Sequence, residues 1–144
     1  MVHKRSGELK KLKWIVIIPL FFVLFARCSL YNPKITLKDA RLAVGVDENL
    51  QPIQITDTFP KGTSKVFCWF KWQKAVLRTK ITATWFYVTD NIRILDYTFE
   101  IPRREGAGSV SLSMPENKTL PSGSYRIDLK LDKSVLRSLN FKVE

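Results

Sequence analysis

Histidine and cysteine are almost missing from this chain, and most catalytic chemistry goes with them. His3 is the only histidine. It sits in a basic leader, so the rest of the chain has no imidazole for a metal site, a nucleophile triad or an acid/base pair. The two cysteines, Cys28 and Cys68, are too few for a disulfide framework, and they lie on either side of an apolar segment's end, so no bridge between them is expected. Cys68, inside an apolar run, reads as a small buried hydrophobe. Carboxylates are missing altogether between Asp57 and Asp90. Acid pairs such as Asp47 and Glu48 fall in turn-like sequence, where solvated charge is the expectation and a glycosidase pair is not. Gly106-Ala107-Gly108 is too short, and wrongly placed, for a phosphate cradle, which comes after a strand and opens a helix. No catalytic, cofactor-binding or metal-ligating set emerges, and the chain reads as a non-enzyme without a cofactor.

The chain does have a short apolar segment behind a basic flank. Trp14 to Ala26 contains no charge, but thirteen residues at ~1.5 Å each reach only ~20 Å of a ~30 Å hydrocarbon core. The run extends through Cys28, Ser29, Leu30 and Tyr31 if Arg27 turns its guanidinium toward the headgroups, giving about 18 residues, close to the minimum for a span. Its membrane-facing candidates are Trp14, Ile15, Ile18, Phe21, Phe22, Leu24 and Phe25, with Arg27 at the boundary. His3, Lys4, Arg5, Lys10, Lys11 and Lys13 precede the run against Glu8 alone, which keeps that flank in the cytoplasm and sends the residues beyond Cys28 across the membrane.

Three fates are open for this segment: a retained signal anchor, a cleaved signal peptide, or a lipoprotein. Ala26-Arg27-Cys28 makes a poor small-x-small cleavage site, and a thirteen-residue leading region is long for a signal peptide. Phe25-Ala26-Arg27-Cys28 resembles a bacterial lipobox with Cys28 at the lipidated position, although Arg27 stands where that family has a small residue. Retention is favoured. The expected organisation is a cytoplasmic flank at 1–13, an anchor or signal segment at 14–31 and one extracytoplasmic domain at 32–144. That describes a single-pass protein of the cytoplasmic membrane, its C-terminal domain periplasmic or extracellular.

The exported part is one domain of ordinary size. Of the net charge of +11, six Lys/Arg against Glu8 fall in the first thirty residues, which leaves +6 on the remainder, eighteen basic residues against twelve acidic. In the acid-free stretch Lys61, Lys65, Lys71, Lys74, Arg78 and Lys80 accumulate, the one marked charge asymmetry of the domain.

Period-two patterns dominate from Ile35 onward. Ile35 to Val46 reads as a strand with Leu42, Val44 and Val46 on one face. Ile53 to Thr56 is a short strand, and a turn comes next at Phe59-Pro60-Lys61-Gly62. In Lys65 to Trp72, Val66, Cys68, Phe70 and Trp72 oppose Phe67, Trp69 and Lys71; both faces are apolar, so this strand is expected in the middle of a sheet. Lys80 to Thr89 places Ile81, Ala83, Trp85 and Tyr87 against Thr82, Thr84, Phe86 and Val88. Asp90-Asn91 turns the chain into Ile92 to Ile101, and Pro102 to Gly108 reads as a loop. Val110, Leu112 and Met114 then alternate with serines, Tyr125 to Leu131 alternates, Asp132-Lys133-Ser134 turns, and Val135 to Val143 closes the chain. About seven short strands predict an all-β sandwich, preceded by the one N-terminal transmembrane or signal helix.

At the C-terminal hairpin, Leu120-Pro121-Ser122-Gly123-Ser124-Tyr125-Arg126-Ile127-Asp128-Leu129-Lys130-Leu131-Asp132 and the closing Leu139-Asn140-Phe141-Lys142-Val143 resemble the last two strands of immunoglobulin-like β-sandwich modules of exported bacterial proteins. The resemblance implies that fold over Ile35 to Glu144, and it implies a tyrosine corner at Tyr125, whose hydroxyl would bond back to upstream backbone. The Cys-Trp-Cys spacing of antibody domains is absent, so no inter-sheet disulfide is implied. Fold of this kind says little about function.

The surface candidate is the stretch where Trp69, Trp72 and Trp85 interleave with Lys71, Lys74 and Arg78. As core aromatics beside solvated lysines they would be ordinary sandwich residues. As one aromatic and basic face they would dock on membrane lipid, a membrane-protein partner or a glycan. Nucleic acid is not expected beyond the membrane. The preferred function is a membrane-tethered accessory or assembly subunit of a membrane-protein complex, with a tethered glycan- or cell-wall-binding module, or a lipoprotein, as the alternative.

Overall fold

The structure, a computed structural model, describes residues 34–144. The basic flank, the anchor candidates Trp14 to Arg27 and Cys28 lie outside the described residues. Among the described residues nine strands succeed one another: β1 (Thr36–Val46), β2 (Pro52–Ile55), β3 (Thr58–Phe59), β4 (Lys65–Gln73), β5 (Lys80–Tyr87), β6 (Ile92–Glu100), β7 (Gly106–Ser113), β8 (Gly123–Leu131) and β9 (Ser134–Val143). The expectation is about seven; the four-residue β2 answers to the short strand read at Ile53 to Thr56, and the two-residue β3 is the piece the sequence does not show.

Two sheets form, a four-stranded one in the order β2-β1-β4-β7 and a five-stranded one in the order β3-β9-β8-β5-β6. Alternation explains the sandwich. Val66, Cys68, Phe70 and Trp72 from β4 face Ile81, Ala83 and Trp85 from β5 and Ile127 and Leu129 from β8 in one buried cluster. β4 pairs with β1 through Leu42↔Cys68 and with β7 through Cys68↔Val110, so it is central, as its two apolar faces require. Every pairing is antiparallel except β3 with the end of β9, where Thr58↔Lys142 and Phe59↔Val143 run parallel. That contact places Phe59 in the core against the edge of the Phe141 ring, so the turn expected at Phe59 begins one residue later, at Pro60.

Two further expectations shift. Val44 is exposed although Leu42, on the same face, is buried. β1 runs past the end of its pairing with β4 at Ala43↔Phe67 and keeps only β2 beside it. Gly106 to Gly108, expected in a loop, open β7 opposite Phe70 to Trp72. They occur as glycine because Trp72 lies there: a Cβ on Gly106 would come within 2.9 Å of the indole.

The register gives the sandwich two distinct ends. The chain comes in beside Thr36, opposite the last residue of β4, Gln73. The β4–β5, β6–β7 and β8–β9 connections share that end, while the turn at 47–51, the 60–64 and 88–91 loops, the long 114–122 loop and Glu144 lie at the other.

Candidate functional site

The three tryptophans of the expected surface do not form one. Trp72 and Trp85 point inward from β4 and β5 and are almost wholly buried, Trp85 being 1% exposed and edge-on to Phe141. Trp69 lies on the outer face of its sheet, yet it too is covered: its Nε1 donates a 2.6 Å hydrogen bond to the Leu50 carbonyl in the 47–51 turn. That turn is held by Asp47 Oδ1, which accepts from the backbone N–H of Asn49 and of Gln51. The reason is periodicity. Neighbours in a strand take opposite faces, so Trp72 is inside because Lys71 is outside. Lys71, Lys74 and Arg78 are exposed but have no exposed tryptophan beside them.

The structure gathers the basic residues elsewhere, at the end where the chain comes in. The β4–β5 loop is braced against the β6–β7 loop by a set of backbone bonds. Ala75 N–H donates to the Arg104 carbonyl at 2.9 Å, Arg78 N–H to Ile101 at 3.3 Å, and Ile101 N–H to Thr79 at 2.8 Å. Trp72 adds a fourth tie, its Nε1 donating to the Arg103 carbonyl at 3.0 Å. Lys74 and Arg78 sit in left-handed conformation, with φ of 58° and 66°, and Thr79 closes the loop through its hydroxyl on the Val76 carbonyl. This frame presents Val76, 49% exposed, and Leu77, 59% exposed, toward the outside.

Around that tip stand Lys74, Arg78, Lys80, Arg103, Arg104 and Lys133, with Lys34 where the described chain begins; Glu100, Glu105 and Asp132 are the acids of this end. Among the described residues none of these basic side chains forms an ion pair. The opposite end mixes its signs, with Asp47, Glu48, Asp57, Asp90, Glu116 and Glu144 set among Lys61, Lys65, Arg93, Lys118 and Lys142. The acid-free stretch signalled half of the basic end. Arg103 and Arg104 come from a second loop more than twenty residues away.

The outer face of the five-stranded sheet carries a different cluster. Asp128, buried on β8, accepts a 2.6 Å hydrogen bond from Ser138 Oγ on β9, and Arg126 Nε stands 3.1 Å from the same carboxylate oxygen. The Arg126 guanidinium lies 4.5 Å over the Phe86 ring, a cation–π contact. Ser138 satisfies one carboxylate oxygen, whereas Arg126 Nε, though close to it, makes no hydrogen bond among the described residues, and neither does the buried Thr84 Oγ1 on the strand position paired with Asp128. A shallow groove of about 390 Å³ between β1, the β2–β3 link and β9 is lined by Arg41, Ile55, Asp57 and Leu139 among others. Among the described residues no three His, Cys, Asp or Glu side chains gather as a metal site. The buried Cys68 thiol is pushed up to about 12 by desolvation, which makes it a poor nucleophile.

At the C-terminal hairpin, Tyr125 Oη donates a 2.6 Å hydrogen bond to the Pro121 carbonyl, the tie-back that the hairpin motif implied. No protein-family model matches the sequence, and no curated protein does. Among solved structures, an immunoglobulin-like protein of Pseudomonas aeruginosa aligns with a TM-score of 0.57 at 14% identity, over 79% of this chain and 99% of its own. The fold is immunoglobulin-like. Two other alignments score lower. One is an alkylpurine DNA glycosylase of Pseudomonas fluorescens bound to DNA containing an abasic-site analog (0.47, 7% identity, 84% of this chain and 33% of the other). The second is a CARDB domain from Pyrococcus furiosus in complex with di-metal ions (0.42, 10%, 78% and 89%). At those scores neither bears on this immunoglobulin-like sandwich, whose likeness to known structures is one of fold alone.

Proposed function

We propose that the chain is a membrane-tethered accessory subunit: segment 14–31 holds it in the cytoplasmic membrane, and the immunoglobulin-like sandwich serves a membrane-protein partner on the far side, without catalysis of its own. The observation that carries the assembly reading is β6. It is an edge strand of the five-stranded sheet, and Ile92, Ile94, Leu95 and Tyr97 along it are all exposed, Tyr97 by 54%. A row of large apolar side chains on an unpaired edge is unusual for a solitary domain and usual at a protein interface. Leu95 and Tyr97 belong to the face that looks toward the other sheet, where Phe99 stacks on Phe70 at 5.1 Å and Tyr97 stacks on Phe99, so the exposed ledge is continuous with the core. Tethering is supported by the apolar length and the charge flanks of the N-terminal segment.

The glycan-binding alternative loses its stacking residues, because Trp72 and Trp85 are in the core and Trp69 is bonded beneath a turn. The test is site-specific photocrosslinking in intact membranes, with the photoreactive residue at Tyr97 in one strain and at Lys142 on β9 in another. One discrete adduct from position 97 and none from 142 supports the assembly reading. A chain that fractionates with the soluble proteins, or gives no adduct at 97, defeats it.

A further inference from the structure

The basic end of the sandwich is also the end from which the chain leads back to segment 14–31. We propose that this end docks on an anionic lipid surface, with Val76 and Leu77 entering the interfacial layer and Lys74, Arg78, Arg103 and Arg104 lying among headgroup phosphates. The inference rests on the tethered reading of segment 14–31 and adds to it how the sandwich is held and what holds it.

Three observations converge. The first is covalent reach: four residues, Asn32 to Ile35, lie between Tyr31 and Thr36, and the five steps across them cover at most ~3.6 Å each, or ~18 Å. With segment 14–31 in the bilayer, the Thr36 end is restrained to within that distance of the headgroups, whereas no such restraint acts on the sandwich's other end. The second is charge. Electrostatic attraction to an anionic leaflet fades within a Debye length, ~8 Å at physiological salt, so a basic cluster acts most readily on the end that the tether keeps near. The basic cluster is on the near end, and the mixed-sign loops are on the far one.

The third observation is the form of the tip. The Arg103 and Arg104 carbonyls are used in bracing the β4–β5 loop, while their side chains are exposed and unpaired among the described residues. The two aliphatic residues are held out by a loop whose backbone is already fixed, so insertion orders little that was free. Two aliphatic side chains ringed by cations suit a phosphate-and-acyl boundary. They are too small a patch to be a protein interface by themselves.

The test uses the full chain reconstituted into vesicles of phosphatidylcholine alone or of phosphatidylcholine with phosphatidylglycerol. An environment-sensitive fluorophore is placed at Leu77→Cys or, at the far end, at Lys118→Cys, in a Cys28→Ser background; buried Cys68 stays unlabelled in the folded protein. Flotation of the vesicles reports tethering separately. The expected result is flotation with both vesicle types, and a blue shift with quenching by brominated lipid at position 77 on anionic vesicles only. That signal should be lost in high salt and in Arg103→Glu/Arg104→Glu, with no shift at position 118. Flotation with a water-like spectrum at 77 on anionic vesicles overturns the docking and leaves tethering intact. Failure to float on either vesicle overturns both. A shift at 77 in native membranes but not on anionic vesicles means that protein covers the tip, and overturns the lipid assignment.

Discussion

Tyr125 Oη reaches back four residues to donate a 2.6 Å hydrogen bond to the Pro121 carbonyl, and its ring stacks on Phe141 at 4.8 Å. One side chain thereby fixes the start of β8 and packs it against β9. Tyr125→Phe keeps the ring and removes the donor, leaving a carbonyl without its partner. The expected cost is about 1–3 kcal/mol, read as a lower urea midpoint at unchanged slope. A midpoint equal to that of the parent would show that water replaces the bond at no cost.

Alkaline pH should weaken the fold through the same residue. Burial first, and the neighbouring Tyr87 second, push the Tyr125 phenol up from 10.0 to about 12, and burial alone pushes Cys68 from 9.0 to about 12. In both, the folded state holds the proton more tightly than the unfolded chain does. The stability they contribute is therefore complete below the unfolded value and is lost as pH rises toward the folded one. Urea titrations at rising pH should show stability falling from about pH 9 toward 12. Cys68→Ala should flatten the whole of that fall, and Tyr125→Phe only its part above about pH 10. Equal slopes in all three proteins would refute the assignment.

Gly106 and Gly108 test why a strand opens with glycine. Neither has a positive φ, so only space distinguishes them. A Cβ at 106 meets Trp72 Cζ2 at 2.9 Å, whereas at 108 the nearest atoms are at 3.4 Å. Gly106→Ala should destabilise by about 1–3 kcal/mol through overpacking against a buried indole. At Gly108 the nearest atoms stand at the edge of ordinary contact and only weakly oppose the entropic gain of about 0.5–1 kcal/mol from replacing a strand glycine, so the net change should be small. Thermal unfolding of the two variants side by side gives the comparison, and equal losses would remove Trp72 as the cause.

Trp69→Phe should loosen a turn without disturbing the core. The indole donates to Leu50, itself in left-handed conformation at φ 57°, and the 47–51 turn has no other tie to β4 among the described hydrogen bonds. The expected loss is about 1 kcal/mol, with faster amide exchange confined to residues 49–51. Faster exchange spreading into β4 or β5 would mean that Trp69 supports the sheet itself.

How far the fold is legible in the sequence depends on whether a feature is local. β4, β5 and β8 are legible because their large side chains alternate over eight or nine residues. β7 shows only from Val110 onward, since Gly106-Ala107-Gly108 has almost no side chains to alternate. β3 is hidden by Pro60 and Gly62, which advertise a turn, while the pairing that makes it a strand comes from β9, over eighty residues later. The expected interaction surface fails for a related reason. Lys71 beside Trp72 looks like one mixed patch in a line of letters, but a pleated strand separates them onto opposite faces. The convergence of Lys74 and Arg78 with Arg103 and Arg104 is out of reach of the sequence, because only the folded register brings two distant loops to one end.

β9 begins at the end where the chain comes in and finishes at the other, with Glu144 N–H bonded to the Phe59 carbonyl. The sandwich is thus traversed lengthwise, and ten strand residues at ~3.3 Å each make it a strut of about 30 Å. A reporter fused after Glu144 would be held off by that length from whatever supports the Lys34 end. Energy transfer from such a reporter to a surface dye therefore measures the tilt of the whole domain.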